Sequence, residues 1–332
     1  MKNADEFPAL LQRFFTDYLA EQRRASSHTI AAYRDTFRLL LGFAHQKLKT
    51  APSTLRLDNL TSKFITEFLA HLERERNCSF RTRNARLAAV RSFFRYVSFQ
   101  RPDRAESIRQ IIATPFKRGE QPLICYLTVS EIDALLAAPD LSTWFGRRDH
   151  ALLQFAVQTG LRVSELTGVR IQDVHLESGP HVRCLGKGRK ERSVPLTKES
   201  VATIKQWLRD VNTQTHAPLF PNRTGSRLSS DSVQHLLRKH VKTATMSVPT
   251  LRKKRVTPHV LRHTTAVQLL HAGVEQSVIA LWLGHESYQT TQVYLDADLE
   301  FKEKVLAAVP GGKARLNRFQ PTDRLLAFLS DL

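Results

Sequence analysis

At 332 residues with 42% hydrophobic content, the chain is long enough for two ordinary domains with packed cores. Its 50 Lys and Arg against 31 Asp and Glu give a formal charge of +19 and a pI near 10.3, so a polyanion is the expected partner. Three scattered cysteines, Cys78, Cys125 and Cys184, exclude a disulfide framework or a Cys-x-x-Cys metal pair, and no apolar run reaches the roughly 18 residues of a membrane span.

In chain order, the acidic start "MKNADEFPALLQRFF" predicts no export signal, and residues 8–100 read as four helices. The first places Leu11, Phe14, Phe15, Tyr18 and Leu19 on one stripe, and "TIAAYRDTFRLLLGFAHQ" and "SKFITEFLAHLER" repeat the pattern. In the fourth, "RLAAVRSFFRYV", Leu87, Val90, Phe94 and Val97 face a core while Arg91 and Arg95 fall opposite, either as a solvated face or as phosphate contacts. Pro, Gly and charges in "TPFKRGEQPLICYLT" mark a boundary, with a linker at 116–124. Beyond it the pattern is mixed. Helices in "TVSEIDALLAA", "RRDHALLQFAVQTG", "SVATIKQWLRDV" and "SSDSVQHLLRKHVKTA" surround two strand-like runs in "HVRCLGKGRKERSVPL", joined by a Gly-Lys-Gly turn. The expected fold class is mainly α with a small β-sheet.

Candidate chemistry lies in this second region. In "VQTGLRVSEL", Arg162 follows a glycine helix stop, and Ser164 is placed to cap the next helix; on this stretch alone a surface arginine paired with Glu165 is the simpler reading. "TPHVLRHTT" sets His259, Arg262 and His263 on one face of a first helical turn, whose free N–H groups favour an anion. A zinc site there lacks the glutamate of His-Glu-x-x-His, since Val260 occupies that position, and lacks a third ligand. "GKGRK" departs from the P-loop pattern and leaves Lys187 at a hairpin tip. "LWLGHESYQTTQVYL" reads as a helix ending at Gly284, then His285, then a helix presenting Tyr294, with Tyr288 as a rival. A phenol of pKa about 10 is a weak nucleophile unless a base and cations assist it. Two arginines, a lysine and histidines suit a phosphodiester.

Arg162 in "TGLRVSEL", Lys187 in "GKGRKERSVPL", His259 and Arg262 in "PHVLRHT", His285 in "LGH" and Tyr294 in "TTQVYL" together resemble the tyrosine recombinase (phage integrase) family, nearest in pattern to Xer-like and transposon-borne members. The resemblance implies that Tyr294 attacks the scissile phosphate to form a 3′-phosphotyrosine. Arg162 and Arg262 would hold the non-bridging oxygens, Lys187 protonate the leaving 5′-oxygen, His259 assist at the nucleophile and His285 bond the phosphate. Glu165 would orient the arginines, and His263 would be structural. No metal, cofactor or ATP is implied.

The same resemblance implies a helical, SAM-like core-binding domain over 1–115, carrying Arg91 and Arg95, and a catalytic domain over 125–332 with a tail from 300. The two would form a C-shaped clamp on double-stranded DNA. The expected assembly is a homo-tetramer on specific recombination sites, with or without a sister recombinase, in the cytoplasm at the nucleoid. The end segment "QPTDRLLAFLSDL" would place Leu325, Leu326, Phe328 and Leu329 on a helix that docks on a neighbour or on its own subunit. A topoisomerase using the same chemistry and a non-catalytic DNA-binding regulator are the rival readings.

Overall fold

Serine and threonine start most of the helices. In a computed structural model describing residues 7–119, 124–186, 191–211 and 214–284, Ser26, Thr61, Ser79, Thr128, Thr143, Thr197, Ser229 and Thr257 each accept an otherwise orphaned backbone N–H. The chain divides into two units, Met1–Gln121 and Pro122–Leu332.

The first unit is helical: α1 (Phe7–Arg13), a π-helical continuation Phe14–Gln22, α2 (Ser27–Leu48), α3 (Ser62–Arg74), α4 (Phe80–Gln100) and α5 (Ala105–Ala113). The sequence predicts one regular helix through residue 22. Instead the backbone widens at Phe14, whose ring lies within 6.3 Å of those of Phe15, Tyr18, Tyr33, Phe37, Phe93 and Tyr96. Aromatic packing overrides the α pitch there. Leu87, Val90, Phe94 and Val97 enter this core as predicted. Helix α5, which no sequence pattern above predicts, contributes Ile108 and Ile111 to it.

The stretch after α5 is fastened to α4. Arg83 donates to Pro115 O at 3.1 Å, and Asn84 exchanges hydrogen bonds with the Lys117 peptide at 2.8 and 3.0 Å. The first residues of the predicted linker are therefore part of the helical unit's surface.

The second unit contains α6 (Val129–Ala137), α7 (Trp144–Thr159), α8 (Val163–Leu166), β1 (Val174–His175), β2 (His181–Leu185), β3 (Glu191–Pro195), α9 (Lys198–Trp207), α10 (Ser230–Ser247), α11 (Pro258–His271) and α12 (Gln276–Leu283). The strands form one antiparallel sheet in sequence order, with Val182 opposite Val194 and Cys184 opposite Arg192. Val182, Cys184 and Val194 bury one sheet face in a core that also takes Phe155, Trp207 and Phe220.

A buried ionic pair joins α7 to α10. Arg148 donates to Asp149 Oδ1 at 3.0 and 2.6 Å, and His240 Nε2 lies 2.8 Å from Asp149 Oδ2. Burial alone would raise the Asp149 pKa, but the hydrogen bond from His240 and the charge of Arg148 outweigh it and hold the carboxylate ionised. Replacing Asp149 by alanine strands a buried guanidinium, so a loss of about 3–5 kcal/mol is expected. Urea unfolding followed by tryptophan fluorescence reads it directly, because Trp144, Trp207 and Trp282 all lie in this unit.

Candidate active site

Two glycines bring two helix ends together. Gly160 after α7 and Gly284 after α12 both adopt left-handed φ, +63° and +65°, as the predicted helix stops require. At both sites a β-carbon would also displace a neighbouring side chain. A β-carbon on Gly160 would lie 2.6 Å from Leu283 Cδ2, and one on Gly284 would lie 2.8 Å from Arg192 Nη1.

Around these ends, three consecutive carbonyls accept from three arginines. Arg192 Nε donates to Trp282 O at 3.0 Å, Arg262 Nη2 to Leu283 O at 2.5 Å and Arg162 Nη2 to Gly284 O at 2.8 Å. Arg262, buried on α11, also donates from Nη1 to Gly160 O at 2.8 Å. The carbonyl ends of α7 and α12 thus form the negative pole that holds these cations.

Glu165 completes the arrangement from below. Its buried carboxylate accepts the Arg162 peptide N–H at 2.9 Å and Arg162 Nη1 at 3.0 Å; Arg192 Nη1 and Nη2 reach it at 3.1 and 2.8 Å. Burial pushes its pKa up, yet the hydrogen bonds from Arg192 and Arg162 and both cationic charges prevail and hold it below the usual range. Ser164 does not cap α8 as the sequence suggests. It lies inside the helix, and Glu165 reaches back to the first N–H instead.

Of the predicted site residues, Arg162 and Arg262 are brought together here. Arg162 has donors to spare: a guanidinium carries five N–H groups, and only Nη1 and Nη2 are engaged. His259 is exposed on the first turn of α11, its ring 6.5 Å from that of the half-buried His263. Lys187, His285 and Tyr294, with the rival Tyr288 and the end helix, lie outside the described residues. In the first unit Arg95 is exposed, whereas the half-buried Arg91 stacks its guanidinium on Phe116 at 4.7 Å. No group of three or more His, Cys, Asp or Glu is arranged for a metal among the described residues. No described helix is long and apolar enough to cross a membrane.

Arg192 belongs to this site without being among the residues the sequence motifs single out. Its signal was the strand alternation, which puts Arg192 on the same face as buried Val194 and so turns a charge inward.

Burial, His259 and Arg262 depress the His263 pKa to about 4 from 6.5. The folded state therefore keeps this imidazole neutral where the unfolded chain takes up a proton, so the His263 contribution should lower stability as pH drops from about 6.5 to about 4 and add no further loss below that. Glu165, ordinarily near 4.5 and depressed here, loses its contribution only below that. A urea-midpoint profile against pH should flatten in the upper part of the window for His263→Asn.

Comparison with known proteins matches the Phage integrase family over residues 125–300 and the Phage integrase N-terminal SAM-like domain over 12–100. Putative integrase/recombinase y4rC of Sinorhizobium fredii (strain NBRC 101917 / NGR234) is 50% identical over 323 residues, 97% of each chain. Tyrosine recombinase XerC of Pelobacter propionicus is 35% identical over 290 residues, covering 87% of this chain and 91% of the relative. Among solved structures, XerH site-specific recombinase bound to palindromic difH substrate aligns with a TM-score of 0.69 at 22% identity, over 86% of this chain and 81% of that one. The Tn1549 transposon integrase in complex with a circular intermediate DNA gives 0.68 at 17% identity, over 90% and 99%. At such identities the structures establish the fold, a helical N-terminal domain followed by a mainly α catalytic domain with a small sheet.

Proposed function

Because the chain belongs to the phage integrase family, the tyrosine recombinases, we propose that Tyr294 is the nucleophile with which it cuts DNA and that Arg162 and Arg262 hold the phosphate under attack. The enzyme is a site-specific recombinase that breaks and rejoins strands through a 3′-phosphotyrosine and a Holliday junction, without metal or ATP. The observation that carries the site assignment is the convergence of the two arginines on neighbouring carbonyls, Gly284 O and Leu283 O, where the chain passes into "HESYQTTQVYL".

In the cleavage step the Tyr294 oxygen bonds to phosphorus and the bond from phosphorus to the 5′-oxygen breaks. The phenol proton leaves toward His259, and Lys187 protonates the departing oxygen. Arg162, Arg262 and His285 stabilise charge on the non-bridging oxygens; guanidinium suits this because its planar fork matches two phosphate oxygens at once. Rejoining reverses the step with the 5′-hydroxyl of another strand. The phosphodiester is conserved in the covalent link, which is why no nucleotide is consumed.

Residues 1–115 serve as the core-binding arm in this reading and 125–332 as the catalytic domain. Two duplexes present four strands for exchange, so four subunits on paired sites, a homo-tetramer with or without a sister recombinase, fit the reaction. An origin in a mobile element and residence at the nucleoid fit it as well. Arg95, exposed, is the better phosphate contact of the two candidates. Arg95→Ala should lower the salt slope of DNA binding by about 1, a change Arg91→Ala should not reproduce.

The direct test is a nicked duplex carrying the site that the protein selects from a random-sequence library. Full-length enzyme should form an adduct that survives denaturing electrophoresis, equally well with and without EDTA. A strict metal requirement would reject the site as drawn.

A further inference from the structure

Arg192 is the arginine of the cluster that the proposed chemistry leaves without a role. Both edges of its guanidinium are committed: Nε to Trp282 O, Nη1 and Nη2 to the Glu165 carboxylate. With only 12% of its side chain exposed, it is placed to hold the site's framework and not a phosphate oxygen. The carboxylate it grips is the one that fixes Arg162, through the peptide N–H and through Nη1. Among the described residues Glu165 otherwise has one close cation, Arg162, against its burial. Arg192 supplies the second, and it simultaneously anchors the α12 end to which Arg162 is also bonded.

We propose that Arg192 is a positioning residue for strand cleavage: it locks Glu165, and through Glu165 the Arg162 guanidinium, against the carbonyl end of α12. The inference rests on the reading of Arg162 as a phosphate ligand. Arginine is required because only a planar fork spans both carboxylate oxygens while Nε bonds a third acceptor; lysine keeps the charge but not the fork. The gain is preorganisation. An active-site group displaced by about 1 Å costs on the order of 10²-fold in rate.

The same contacts set a pH signature. Among the described residues, the charged and titratable groups about Glu165 are Arg162 beside it, Arg192 from β3, Cys184 from β2 with Arg262 acting on that thiol, and Asp173, Arg183, Glu191 and Arg227 lining the same cleft. The Cys184 thiol, pushed up by burial to about 11, stays neutral. Without Arg192, burial of Glu165 is opposed by Arg162 as the one remaining close cation among the described residues, and the carboxyl takes up a proton at higher pH. Protonation weakens its hold on Arg162.

Single-turnover adduct formation on the nicked duplex above, measured across pH together with duplex affinity, tests this. Arg192→Gln should slow cleavage about 10²-fold with affinity unchanged, and should move the acid limb of the rate profile upward. Adding Glu165→Gln should remove the displaced limb. Arg192→Lys should return the limb toward its original position but not restore the full rate, and it carries the comparison if the glutamine variant does not fold. A wild-type rate in Arg192→Gln, a slowed rate with the limb unmoved, or an affinity loss that parallels the rate loss would each overturn the proposal. Absence of any adduct from the unaltered enzyme would instead overturn the active-site reading on which it rests.

Discussion

Tyr294→Phe is expected to bind the selected duplex as the unaltered enzyme does and to form no covalent adduct, while Tyr288→Phe is expected to form it normally. Phenylalanine keeps the ring but has no oxygen to bond to phosphorus, so the loss is of the reaction. The two tyrosines differ in what surrounds them in sequence. Tyr288 follows His285 almost at once, whereas Tyr294 stands in "TTQVYL", the position that the family resemblance assigns to the nucleophile. A phenol of pKa about 10 gains little from its own acidity near neutrality. Its reactivity must come from cations that stabilise the phosphate it attacks, and the chain leaves the arginine pair at Gly284, just upstream of both candidates. Denaturing electrophoresis of the nicked duplex separates the alternatives; an adduct from Tyr294→Phe that Tyr288→Phe lacks would transfer the role.

What the sequence disclosed and what it hid divide by range of interaction. The stops at Gly160 and Gly284 and the inward stripe of Leu87, Val90, Phe94 and Val97 depend on neighbours within a turn or two, and the structure has them where the pattern predicts, whereas the cap expected from Ser164 is made by Glu165. The π-helical turn at Phe14 was hidden because rings from α2 and α4 impose it. Asp149 and His240 looked like ordinary polar residues of two helices, since their pairing spans much of the second unit. Arg192 is the instructive case. Its charge sat among several in "GRKER", and only the fold shows that it meets Glu165 on one side and Trp282 O on the other. The matched pattern named the residues proposed to touch the phosphate; those that hold them are set by packing.

Arg162→Ala and Arg262→Ala should each slow adduct formation by on the order of 10²- to 10³-fold while leaving duplex affinity nearly intact, since each removes a preorganised donor from charge that develops in the transition state. Their effects on stability should differ. Arg262 is buried and donates to Gly160 O and Leu283 O, so alanine leaves both carbonyls without that partner, at a cost of about 1–3 kcal/mol in the second unit. Arg162 is only half-buried, and its removal leaves Glu165 still paired with Arg192, so the unfolding midpoint should move little. Lysine at position 262 restores charge through one nitrogen, which cannot reach two carbonyls set by different helices and a phosphate together, so it should recover stability less well than its charge suggests. Single-turnover rates at saturating protein, mobility-shift affinities and urea midpoints, taken on the same four proteins, resolve these contributions. If affinity were to fall in proportion to rate for both alanine variants, the arginines would be binding groups or framework, and stabilisation of the phosphate in the transition state would have to be sought in other side chains.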